Sequence, residues 1–109
     1  LSTAPDGTLK ARVRIPESSA WFSGHFPSRP VLPGIAHIAM VMDVLRKAHG
    51  SQLTAIAVKR LRFRLAVGPN DELWVTVHPT LSAAGRTTYS FQTTRDTQTA
   101  CTGGITVEG

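Results

Sequence analysis

From Thr8 to Ile15 apolar and charged positions alternate, with Leu9, Ala11, Val13 and Ile15 on one side and Lys10, Arg12 and Arg14 on the other. A period of two with charge along one side predicts a half-exposed strand, which Pro16 ends. Ahead of it, residues 1–7 contain Pro5, Asp6 and Gly7 and read as a frayed start or turn. From Ile35 to Ala48 the spacing becomes helical. Ile35, Ala36, Ile38, Ala39, Met40, Val41, Met42, Val44 and Leu45 cover nearly the whole circumference of the first turns, so this helix is expected to be buried on most sides. Pro33 and Gly34 stand at its entry, where a missing amide donor costs little. Arg46, Lys47 and His49 complement the dipole at its carboxyl end, and Gly50 supplies the stop.

The remainder reads as strand. In Thr54–Arg64, Ile56 and Val58 share one parity while Leu61 and Phe63 share the other, and the switch near Lys59–Arg60 predicts a bulge. The Gly-Pro-Asn-Asp run within residues 67–71 is a turn. Leu73, Val75 and Val77 then alternate with Trp74, Thr76 and His78. A turn at Ser82–Gly85 leads to Thr87, Tyr89, Phe91 and Thr93, and Cys101, Ile105 and Val107 share a parity across Gly103–Gly104. The order is one strand, one buried helix and about four antiparallel strands. In a single domain of 109 residues, only the sheet can wrap such a helix. The expectation is an α+β fold, a curved antiparallel sheet around one central helix. So few strands leave the helix incompletely covered, and edge pairing with a second copy is the expected remedy.

Charge narrows the partners. Twelve Lys and Arg against seven Asp and Glu give +5, which favours acidic ones: nucleic acid, an anionic membrane surface or an acidic protein. The basic residues alternate with apolar ones, so they belong to strands and not to a tail. No aromatic platform of the kind that single-strand nucleic-acid binders use interleaves with them. No run is long enough to cross a membrane and no secretory signal is visible at Leu1, whose place as first residue reads as a trimmed start. The lone Cys101 excludes an internal disulfide and a cysteine-based zinc site, in keeping with a cytoplasmic location.

The candidate chemistry lies in Trp21–Val44. Its segment GHFPSRPVLPG, residues 24–34, holds His25 in a loop stiffened by Pro27, Pro30 and Pro33 directly before the helix. This segment closely resembles the signature of the 3-hydroxyacyl-acyl-carrier-protein dehydratases, the FabZ and FabA families of the hotdog fold. The likeness continues through the helix and RFRLAVGPNDEL, residues 62–73. The short N-terminus is more similar to the compact dehydratases of polyketide-like and aryl-polyene pathways.

The resemblance implies β-elimination of water from a 3-hydroxyacyl thioester, in fatty acid or polyketide-type biosynthesis. His25 matches the catalytic base, with an intrinsic pKa suited to it. Gly34 matches the contact to the thioester carbonyl, where a helix N-terminal amide suits a developing oxyanion. Trp21, Phe22 and Phe26 are expected around the loop and acyl tunnel, and Phe26, Pro33, Gly34 and Ala39 at the substrate. No metal or redox cofactor is implied, since the phosphopantetheine belongs to the substrate.

One position departs from the family. The helix acid, Glu or Asp, falls at Ala39, which can neither donate nor accept a proton. Two groups nearby are candidate replacements. Asp43 lies about 40° from Ala39 around a regular helix, and His37 roughly 160° away. The competing readings are a buried carboxylate bonded to Arg46 or to a neighbouring strand, and a satisfied core histidine. Lys59, Arg60, Arg62 and Arg64 form a basic stripe; in the family such patches receive the acidic acyl carrier protein. The expected assembly is a homodimer, or a larger assembly of dimers, with sites at the interface. The alternatives are an acyl thioesterase, or a non-catalytic acyl-binding or heterodimeric partner.

Overall fold

The computed structural model describes residues 1–19 and 32–109. Six strands, β1 (Ser2–Thr3), β2 (Leu9–Arg14), β3 (Thr54–Phe63), β4 (Glu72–Ala83), β5 (Arg86–Arg95) and β6 (Gln98–Glu108), surround one helix, α1 (Gly34–His49). They form a single antiparallel sheet in the order β1-β2-β4-β5-β6-β3. The strands expected on either side of the helix are all present. Residues 1–7 are more ordered than a frayed start. The turn is there, with the Asp6 carboxylate accepting from the Thr8 amide at 2.9 Å, but Ser2 and Thr3 also pair with Lys10 and Leu9 as a short edge strand.

The apolar parities meet inside. Leu9 and Ala11 of β2, Leu73, Val75 and Val77 of β4, Tyr89 and Phe91 of β5, and Cys101, Ile105 and Val107 of β6 close over Ala36, Met40, Val41, Val44 and Leu45 of α1. The helix is buried on most sides, and the incomplete cover expected of so few strands is also there. The sheet leaves a stripe uncovered: Ile35 is 60% exposed, Ile38 and Ala39 are half-buried, and Asp43 and Arg46 are exposed. An apolar residue on every side of a helix cannot tell which side one curved sheet fails to reach. The helix ends where its sequence requires, at Gly50, whose positive φ of 121° lets its amide reach back to the Arg46 carbonyl at 2.9 Å.

The bulge expected near Lys59–Arg60 exists. Pairing with β6 slips between Lys59 and Arg62, and Arg60 adopts φ 55°, a left-handed backbone that costs a non-glycine residue about 1–2 kcal/mol. The slip keeps Leu61 and Phe63 on the helix side while Lys59, Arg62 and Arg64 remain on the outer side. A second slip at Ile56 was not signalled by the pattern. At the other end of the sheet, Ala84 (φ 53°) and Gly85 (φ 78°) make the two-residue turn that joins β4 to β5.

Candidate active site

Backbone bonds and a strand–helix contact fix the helix entry. The Leu32 amide donates to the Val67 carbonyl at 2.7 Å, tying the approach to α1 onto the loop after β3. That loop is itself clamped. The Asp71 carboxylate accepts from the Gly68 amide at 2.8 Å and from Arg95 at 2.9 Å, and Arg95 also reaches the Ala66 carbonyl. Burial raises the Asp71 pKa, but the Gly68 amide and the Arg95 guanidinium outweigh it and hold the carboxyl below its ordinary value.

Gly34 then opens the helix. Pro33 provides no side-chain cap and the first turn holds no acidic residue, so the Gly34 and Ile35 amides find no acceptor among the described residues. Phe63, at the end of β3, lies against this point. A Cβ on Gly34 would come within 2.8 and 2.9 Å of two ring carbons, with Cζ closer still, so only glycine fits while the ring stays in place. Among the described residues the result is an unpaired, positively polarised backbone edge walled by an aromatic ring, suited to hold a carbonyl oxygen as it gains negative charge.

His37 sits one turn further on. It is 2% exposed, its ring centroid is 6.0 Å from that of Phe63, and its Nδ1 is 2.9 Å from the buried Thr93 hydroxyl. Burial lowers its pKa, which leaves the ring neutral at pH 7. This matches the satisfied core histidine more closely than a proton donor. Asp43 is exposed, with no ion pair or side-chain hydrogen bond among the described residues. The competing reading of Asp43 as a buried carboxylate bonded to Arg46 does not hold, since Asp43 is exposed and Arg46 instead donates to the Leu53 carbonyl at 3.1 Å. Ala39 lies between these two on the uncovered stripe and is half-buried. His25 and Phe26, together with Trp21 and Phe22, lie outside the described residues.

The structure therefore brings Pro33, Gly34, His37 and Ala39 to one end of one helix, and places Asp43 a turn beyond. It does not bring the basic stripe there. Lys59 pairs with Gly104 and Arg62 with Thr102, on the sheet face turned away from α1. Phe63 and Thr93 escaped the sequence reading. Phe63 had its parity as a signal; Thr93, on a strand 56 residues from His37, had none. Among the described residues no helix is long and apolar enough to cross a membrane, and no group of three His, Cys, Asp or Glu is placed to hold a metal ion.

A curved antiparallel sheet wrapped on one helix, with a glycine-opened helix start at its edge, is the hotdog fold. Solved structures agree. The dehydratase heterocomplex ApeI:P from Xenorhabdus doucetiae superposes with a TM-score of 0.76 at 22% identity, covering 95% of this chain and 89% of that one. The (R)-hydratase of A. caviae involved in PHA biosynthesis gives 0.79 at 18%, covering 99% and 96%. A 1,4-dihydroxy-2-naphthoyl-CoA thioesterase from Synechocystis gives 0.74 at 15%, covering 94% and 81%. The family model for the ApeI dehydratase, ApeI-like, matches residues 2–105, and the chain belongs to that family.

Curated relatives are 3-hydroxyacyl-[acyl-carrier-protein] dehydratases. That of Haemophilus influenzae is 32% identical over 101 residues, which is 85% of this chain and 68% of the relative. That of Paramagnetospirillum magneticum is 38% identical over 66 residues, 52% of this chain and 41% of the relative. The match thus spans less than half the length of the second relative.

Proposed function

We propose that this chain is the histidine-bearing subunit of a hydro-lyase that removes water from 3-hydroxyacyl thioesters. The observation that carries this reading is the Gly34 amide, which has no acceptor among the described residues and lies beneath Phe63, at the end of a GHFPSRPVLPG segment in a chain of the ApeI-like dehydratase family. In the reaction, His25 takes the proton from the carbon next to the thioester carbonyl. The carbonyl oxygen gains charge and is held by the Gly34 N–H. The electron pair then forms the new carbon–carbon double bond as the neighbouring carbon–oxygen bond breaks, and a proton donor converts the departing hydroxyl to water. Acid and base suffice to balance the step.

The proton donor comes from a second chain. Ala39 has none to give, yet its place on the uncovered stripe of α1 puts it where a partner can reach. At the end of the sheet β3 has no partner strand on its outer edge among the described residues and exposes Ile56, Val58 and Phe63, the kind of edge another chain covers. A homodimer has alanine at both helix positions, whereas a partner with a carboxylate there completes one site. A heterocomplex is the assembly of the ApeI:P neighbour. The acyl group is carried by an acidic carrier protein, to which the +5 charge of this chain is complementary.

Product analysis tests the reading. Purified chain, alone and with a carboxylate-bearing homologue, is mixed with a 3-hydroxyacyl thioester. Enoyl thioester formed in the mixture, and lost with His25→Ala, is the expected result. Release of free acid and thiol identifies a thioesterase instead.

A further inference from the structure

The four-residue basic stripe is left without a role by the site on α1. The β3 bulge turns Arg60, Arg62 and Arg64 toward the outer face of the sheet, where they line one wall of a cavity of about 730 Å³. Its other wall carries His78, and Thr88, Thr102 and other outward side chains of β4, β5 and β6 form a hydroxyl-rich floor. This volume is within the usual range for small-molecule sites, and three arginines and a histidine stand around a lining whose accessible surface is otherwise largely apolar.

Four features make it a built recess. No carboxylate lines the cavity, and none of its three arginines has an ion pair among the described residues. Arg60 adopts a left-handed backbone conformation at the bulge that brings it to this face. Gly104, in the floor, is not required by packing: a Cβ there meets only two backbone oxygens at 3.7 Å, an ordinary contact, so its lack of a side chain simply leaves the recess open. His78 is oriented from behind, with Nδ1 2.6 Å from the Thr8 hydroxyl and 3.7 Å from the Asp6 carboxylate. When Thr8 donates to Nδ1, the ring hydrogen sits on Nε2, the nitrogen free to meet a ligand.

From this we infer a second ligand site on the outer sheet face, for a small molecule carrying two adjacent phosphates. Guanidinium groups pair with phosphate oxygens bidentately, and three unneutralised arginines call for more than one negative charge. Hydroxyls and an imidazole N–H supply the remaining donors. Cationic and neutral donors from four strands share this one open groove, an arrangement that suits a compact polyanion. The inference is independent of the reaction assigned to α1, because the two sites lie on opposite faces of the sheet.

Calorimetric titration of the full chain with inorganic pyrophosphate, ADP and coenzyme A at fixed ionic strength tests it. Saturable binding of pyrophosphate at one site per chain is expected, weakened at least tenfold by Arg62→Gln and by Gly104→Glu and unchanged by Arg12→Gln, with melting curves confirming that each variant folds. Equal affinity for ADP and coenzyme A assigns the ligand to nucleotide diphosphates in general. Tighter coenzyme A binding that keeps the same Arg62 dependence assigns it to a thiol-bearing cofactor. No saturable pyrophosphate binding, binding indifferent to Arg62→Gln, or capture of a polyglutamate peptide in place of pyrophosphate overturns the proposal.

Discussion

The ring of Phe63 occupies the space that a side chain on Gly34 would need. Since Phe63 is 54% exposed, a methyl group at position 34 can push it aside at small cost to the fold. Gly34→Ala is therefore expected to change stability by less than about 1 kcal/mol, in the range of surface substitutions, while lowering dehydration at least tenfold by disturbing the oxyanion edge. Phe63→Ala should make the second loss smaller when the two are combined, as steady-state rates of a double-mutant cycle will show. Additive losses would separate the ring from the glycine.

The His37–Thr93 bond makes a stability prediction with a pH signature. Thr93→Val leaves a buried ring nitrogen without its partner and should cost about 1–3 kcal/mol by chemical denaturation. The folded pKa of His37 is lowered from 6.5 by burial, so folding favours the neutral ring. Its contribution is complete above the unfolded pKa of 6.5 and is lost as pH falls through the lower folded value. His37→Gln should remove that slope from a plot of stability against pH.

How much of this was legible follows from what a linear pattern encodes. Strands with charge on one parity, such as Leu9–Arg14, announce both their conformation and their inner face. The β3 bulge was visible because Val58 and Leu61 break parity while both have reason to face inward. The turn at Asp96–Thr97 carries no glycine, proline or asparagine, and its one local signal was Asp96, which takes the left-handed backbone at φ 55°. The uncovered stripe on α1 was hidden for the opposite reason: apolar residues all round a helix erase the contrast between its sides. The site was legible only where one segment carries it, as in Pro33 and Gly34. Phe63 and Thr93 reach it across the fold.

Gly103 and Gly104 are adjacent but should respond in opposite ways. A Cβ on Gly103 meets Phe91 Cζ at 2.8 Å and Leu61 Cδ1 at 3.3 Å inside the core, so Gly103→Ala is expected to cost about 1–3 kcal/mol. Gly104→Ala meets no such obstacle and should be neutral, or stabilising by up to about 1 kcal/mol through the unfolded chain. Paired thermal melts decide it, and equal effects would contradict the assigned faces.

The Asp71–Arg95 clamp sets part of the acid limb. A carboxyl whose folded pKa lies below its unfolded 3.8 stabilises the protein above 3.8 and loses that contribution as pH falls through the folded value. Asp71→Asn should lower stability at pH 7 by about 1 kcal/mol for this partly exposed pair and flatten the loss at low pH, as denaturation at a series of pH values will show.

Position 39 decides the reaction most directly. The measurement is the rate at which the isolated chain converts a 3-hydroxyacyl thioester to the enoyl product, before and after Ala39→Glu. A gain of at least tenfold is expected, abolished when His25→Ala is added and unaffected by Asp43→Asn. No gain with Ala39→Glu, or activity that vanishes with Asp43→Asn, would contradict a site that lacks only its acid and takes it from a partner.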